Sequence, residues 1–201
     1  GQLQQINLPR VSDGCTPLHL SNWKKNFDLT QLLLDLGGDP KLKNNYNEDS
    51  AELIELVKKS NNIVFLDLEL TAVPNVASSS ILEIAILITD DQLVEVAREE
   101  WVVQKPEEVL TSLPNWHQKM FKDVSEGGNG LFADIRSDKA KPIELVANEV
   151  MSFVKKYCPS EKKNSMAGFS VHGDREILKK EINELYMYLS HQILDVSSIL
   201  Q

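Results

Sequence analysis

The stretch Asn62–Asp90, NIVFLDLELTAVPNVASSSILEIAILITD, constrains what this chain can fold into more than any other. It holds two apolar runs, Ile63–Leu70 and Ile81–Thr89, each too short for a long helix and separated by a Pro/Ser-rich connector. Such runs, rich in Ile, Val and Leu, read as buried strands. The first run carries two acids, Asp67 and Glu69. Residues two apart on a strand point to the same face, so the two carboxylates project together. Burying like charges side by side is costly unless a cation lies between them. Asp-x-Glu in a core strand is therefore a candidate site for a divalent metal, Mg2+ or Mn2+, the ions that oxygen ligands suit. The competing reading leaves one acid at a strand end in solvent and pairs the other with a lysine.

Charge narrows the partners. The 201 residues carry a formal net charge of -9. Residues 1–60 hold seven Lys/Arg against eight Asp/Glu, which leaves 14 against 22 for the remainder. A long basic track for nucleic acid is not supported. An acidic module still handles a short strand if metal ions supply the positive charge. No apolar run approaches the ~20 residues of a membrane helix, so no membrane partner is expected. Cys15 and Cys158 fit no metal-ligand spacing, and a reducing intracellular compartment, cytoplasmic or mitochondrial, is the expectation.

Ahead of the strands, Thr16-Pro17 is a helix-start signal, and a helix over Leu29–Leu36 ends at Gly37-Gly38, which suits a left-handed cap. TPLH followed by LLLDLGGDP resembles an ankyrin repeat, a unit of ~33 residues, and Asn47–Lys59 resembles the first helix of an incomplete second one. Residues 1–60 are thus expected to form an α-helical, ankyrin-like segment that binds a protein partner or serves only as packing, because lone repeats need neighbours. After Asp90-Asp91, Leu93–Val103 reads as a third, antiparallel strand. Ser125–Gly130 reads as a flexible loop and Pro142 as the start of an amphipathic helix. Ser165–Val171 and Gln192–Val196 read as strands around a helix over Asp174–Leu189, so residues 61–201 are expected to be an α/β domain.

The blocks NIVFLDLELT…ILEIAILITD, MAGFSVHGDREIL and ILDVSSIL, taken together, resemble oligoribonuclease, a DEDD-type 3′→5′ exonuclease with a ribonuclease H-like fold. That resemblance implies a mixed sheet flanked by helices and two-metal hydrolysis of short single-stranded RNA. Asp67, Glu69 and Asp174 fall on its metal-binding, catalytic positions. Two cations ~4 Å apart would activate a water and stabilise the leaving oxygen. Substrate-binding positions fall on Val73, Trp116 and His191, and the resemblance extends to a homodimer. Trp116 as simple packing and Asp174 as a helix cap stay open beside these roles.

Departures from the family are equally specific. Val73 stands at a leucine, Phe169 at an asparagine, Phe121 near a histidine, and Ser190-His191-Gln192 at a His-Tyr-Arg run. The family's His-x4-Asp motif lies downstream of LDVS, beyond Gln201, so the sequence reads as truncated there. Two functions of different class follow: an exoribonuclease module, weakly active or inactive as it stands, or a degenerate exonuclease fold acting as an interaction protein. The first is favoured because acids in a buried strand are costly without a metal.

Overall fold

The computed structural model describes residues 6–24, 26–51, 62–72 and 77–198. The chain separates into two compact units, Gly1–Asn61 and Asn62–Gln201. In the first, α1 (Pro17–Trp23) starts at Thr16. The Thr16 hydroxyl accepts from the His19 backbone N–H and pairs with its ring Nδ1 at 2.8 Å. The same ring places Nε2 3.1 Å from the Glu48 carbonyl, tying α1 to the following turn. The second helix, α2 (Phe27–Asp35), ends as expected. Gly37 takes φ +89° and the Gly38 N–H reaches the Leu33 carbonyl, so orphan carbonyls are satisfied. Most of Asn47–Lys59 lies outside the described residues.

The second unit is an α/β layer. Five strands, β1 (Ile63–Leu70), β2 (Ile81–Thr89), β3 (Glu95–Val102), β4 (Met166–Gly168) and β5 (Ile193–Asp195), stand in the order β3-β2-β1-β4-β5. The first three are antiparallel, and β4 and β5 join in parallel, giving a mixed sheet. Connectors supply α3 (Glu107–Ser112), α4 (Asn115–Met120), α5 (Leu131–Ile135), α6 (Ile143–Tyr157), α7 (Val171–Glu181) and α8 (Asn183–Tyr188). Among the described residues no helix is long and apolar enough to cross a membrane.

Alternation decides the core. Val64, Leu66, Leu68, Ile84, Ile86 and Ile88 face one side and are buried against Val146, Val150 and Val154 of α6 and Ile177 and Leu178 of α7. A second cluster gathers Leu82 and Val102 with Leu110, Phe121, Leu131 and Phe132 from α3–α5. At the sheet edge β3 carries Glu95, Arg98, Glu99 and Glu100, charges that discourage pairing with another chain.

Four expected elements come out differently. The helix expected over Asp174–Leu189 starts earlier and is broken at Ile182, whose φ −134° and ψ 61° are not helical. The strands at 165–171 and 192–196 shorten to three residues each, because Ser170 takes a left-handed conformation and Val196–Ser198 forms a 3-10 turn. Within 125–130, Val124–Glu126 closes a 3-10 turn and Gly127 and Gly130 both sit at φ +86°.

Candidate active site

The register puts the acids together. Asp67 on β1 lies opposite Ala85 on β2, which lies opposite Glu100 on β3, while Glu69 lies directly opposite Glu83. These residues share the sheet face that α6 and α7 do not cover. At its other end that face offers Phe65 and Leu87, and the groove over it measures about 650 Å3, lined also by Arg98 and Phe169. Asp67 is accordingly exposed and Glu69 half-buried. The expectation that both carboxylates are buried in a closed core is corrected here: β1 is buried on its even-numbered face only. The desolvation argument for a metal weakens for Asp67 and survives for Glu69, whose carboxyl is pushed up by burial and then by Asp67.

Asp174 lies in the first turn of α7, near enough for Asp67 and Glu69 to act on its carboxyl. Just before α7 the backbone makes a close approach at Gly168. A Cβ at that position would lie 2.6 Å from the Leu66 carbonyl oxygen, so only glycine lets β4 end against β1 at this point. Ser170 follows at φ +53°, a strained conformation for a residue with a side chain, and its N–H is held 3.0 Å from Asp195 Oδ1. Asp174 is therefore not the cap of α7, which begins at Ser170. Its carboxyl is pushed up to about 7, first by burial, then by Asp67, with Glu69 and Asp195 adding and His172 opposing. Glu83 is likewise raised to about 7, by burial and then by Glu100 and Glu69.

The three acids thus lie within electrostatic reach of one another but do not close into a ligand set. Among the described residues, no three His, Cys, Asp or Glu side chains stand near enough to hold one ion. Trp116 is 56% exposed, with its edge against His117 and Phe121, so it is not core packing. It lines a cavity of about 400 Å3 with Ala72, Pro114 and His117, just past the end of β1. Val73 lies outside the described residues. His191 is exposed between α8 and β5.

Sequence reasoning passes over two histidines. His117 is buried and sets Nε2 3.0 Å from the Leu70 carbonyl, which anchors α4 beside β1. His172 places Nδ1 2.8 Å from Asp195 Oδ2, and its side chain is 70% exposed against 16% for the aspartate. Asp195 Oδ1 accepts from the Ser170 and Ser197 amides and the Ser197 hydroxyl, and these bonds with His172 hold its carboxyl down at about 2. No local spacing signals the pair. It forms because Gly168 and Asp195 are register partners across β4 and β5.

No protein-family profile matches the chain. Its likeness to individual proteins is clearer. It is 33% identical over 141 residues to an oligoribonuclease from Shewanella sp. (strain W3-18-1), covering 69% of this chain and 73% of that protein. The chain belongs to the oligoribonuclease family. That places it among 3′→5′ exoribonucleases, which are hydrolases. An oligoribonuclease from Nitrosomonas eutropha is 30% identical over 145 residues, covering 72% of this chain and 76% of its own. Among solved structures, exonuclease I from Methylocaldum szegediense aligns with TM-score 0.50 at 11% identity and shares the fold. E. coli exonuclease I in complex with an oligonucleotide aligns with TM-score 0.49 at 15% identity. The chain spans only 28% and 29% of the lengths of those two exonuclease I chains.

Proposed function

We propose that this chain removes nucleotides from the 3′ end of short RNA strands at a carboxylate centre formed by Asp67, Glu69 and Asp174. The observation that carries the reading is electrostatic crowding on one sheet face. Asp174 is raised to about 7 chiefly by burial, with Asp67 the largest charge acting on it, and Glu69 is raised by burial and by the same neighbour. Mutual repulsion of this kind is relieved by a cation. An all-oxygen donor set fits Mg2+ or Mn2+ by its chemistry. When bound, such ions offset phosphate charge and make a water more acidic.

The residues themselves supply the rest. Asp67 and Glu69 are fixed by the β1–β2 ladder, so their separation is set by the strand and not by a loop. Asp174, whose carboxyl is raised by burial and by Asp67, would join them as the third oxygen ligand. Trp116, standing exposed beyond the end of β1, offers a face on which a base stacks. The N-terminal unit reads as an ankyrin-type helical pair, capped through Thr16 and His19, that serves a protein partner.

Calorimetric titration with manganese tests the centre. The parent chain should bind Mn2+, and Asp67→Asn should weaken binding at least about tenfold, the loss expected when one charged ligand goes. A labelled RNA pentanucleotide should release 5′-mononucleotides from its 3′ end in the parent and not in Asp67→Asn. Equal Mn2+ affinity in the two proteins would overturn the site.

A further inference from the structure

We propose that the N-terminal unit holds a pocket for an N-methylated lysine side chain of a partner protein, walled by Trp23 and Tyr46 and bounded by the Glu48 carboxylate. The inference rests on the partner role given to that unit above and is independent of the carboxylate centre. All three side chains line one cavity of about 470 Å3. Trp23 is 67% exposed and Tyr46 72%, so both rings keep open faces. Such faces attract a cation through the ring quadrupole, and methylated ammonium groups are the cations that aromatic walls suit.

Exposed aromatic side chains are ordinary on a surface, but these two stand on elements that are fixed against each other. Lys43 and Asp49 form an antiparallel bridge, so residues 43–49 make a small hairpin. Within it the buried Asn44 accepts at Oδ1 from the amides of Tyr46 at 2.9 Å and Glu48 at 3.0 Å. Its Nδ2 donates to Glu48 Oε2 at 3.0 Å, which sets the carboxylate. The Asn45 N–H donates to the Asp13 carbonyl at 2.9 Å, and His19 Nε2 lies 3.1 Å from the Glu48 carbonyl. The hairpin is thus tied to the face of α1 that carries His19. Trp23 is four residues further along α1 and shares that face. Order already present in the free protein lowers the entropy lost on binding.

Charge selects the sign of the ligand. The other carboxylate of the cavity, Asp13, is committed, since Oδ1 takes Arg10 Nε and the Cys15 amide while Oδ2 takes the Arg10 terminal nitrogen. Glu48 Oε1 has no protein partner among the described residues and is the acceptor left for a ligand. One acceptor also distinguishes the forms of lysine. An unmodified ammonium carries three N–H donors, and two of them would be stranded between the rings. Each added methyl replaces a donor with apolar surface. Dimethyl-lysine keeps its charge and a single N–H, which matches Glu48 Oε1 and leaves its methyl groups for Trp23 and Tyr46.

The test uses the full chain and a short fluorescein-labelled peptide with one central lysine, read by anisotropy. The peptide is made with unmodified, dimethyl- and trimethyl-lysine, and with an uncharged isostere in which carbon replaces the side-chain nitrogen. The dimethyl form should bind tightest, and the isostere at least about fivefold more weakly. Trp23→Ala and Tyr46→Ala should each weaken the dimethyl form about fivefold or more, while Tyr46→Phe, which keeps the ring face, should bind like the parent. Glu48→Gln keeps the Asn44 contact through its one oxygen and sets an amide donor where Oε1 stood. It should therefore weaken the dimethyl form more than the trimethyl form, which has no N–H to donate. Equal affinity for isostere and dimethyl peptide would overturn the pocket. Binding that survives both alanine substitutions would overturn it too, while leaving the unit a peptide-binding one by another surface. No binding of any form would overturn the pocket and, with it, the site argued for the partner role.

Discussion

Trp116 shows how neighbours rather than its own chemistry decide what a residue does. Pro114 opens α4, His117 turns inward to the Leu70 carbonyl, and Phe121 is buried in the second core cluster. Trp116 is left 56% exposed with ring edges against both, at 4.9 Å and 5.8 Å between centroids. An exposed indole held in one orientation costs little further entropy when a base stacks on it. Stacking is worth about 1–3 kcal/mol per base, so Trp116→Ala should raise KM for an RNA pentanucleotide about 5- to 150-fold. The midpoint of denaturation should barely move, since exposed substitutions away from the core change stability by about 0.5 kcal/mol or less. Steady-state kinetics beside a urea titration separate the two, and a lower midpoint with unchanged KM would return Trp116 to packing.

At the scale of the strand pair, the Glu69–Glu83 register is a liability that the fold keeps. Like charges directly opposite destabilise a sheet by about 0.2–1 kcal/mol. Glu83 has its carboxyl raised from 4.5 to about 7, and Asp174 from 3.8 to about 7, both chiefly by burial. A raised folded-state carboxyl contributes stability while it is protonated, and that contribution is lost as pH climbs through the folded value. Stability should therefore fall between about pH 4.5 and pH 7 on account of these groups. Glu83→Gln should flatten that fall and stabilise the protein above pH 7 by about 0.5–1 kcal/mol. Urea midpoints at several pH values check it, and an unchanged slope would show that Glu83 does not carry the dependence. Strand existence was legible because β1 and β2 are short runs rich in Ile, Val and Leu, and the expected Val64, Leu66, Ile84, Ile86 and Ile88 are all buried. The exposure of Asp67 was not, since one strand's pattern does not reveal whether its second face is covered. Nor was the His172–Asp195 pair, two residues 23 positions apart that meet only through the parallel register of two three-residue strands.

For the whole molecule, charge sets how a nucleic acid is held. Residues 61–201 carry 14 Lys/Arg against 22 Asp/Glu. Several of the cations are already committed, with Lys141 paired to Glu149, Arg136 to Glu107 and Lys155 to Glu184. Phosphates approaching the face of Asp67, Glu69, Glu83 and Glu100 meet repulsion unless a divalent cation intervenes. Each phosphate neutralised by a basic side chain adds about 0.7 to the salt slope of single-strand binding. With the metal offsetting most of the phosphate charge, the slope of log affinity against log salt should be no steeper than about −2. Fluorescence anisotropy with a labelled, phosphorothioate-linked RNA pentanucleotide measures it at fixed Mn2+. Affinity should drop sharply when EDTA removes the metal, because stacking on Trp116 alone must then oppose the acidic face. Equal affinity with and without metal, or a slope of about −4, would show that basic side chains hold the strand and that the carboxylate face is not where its phosphate lies.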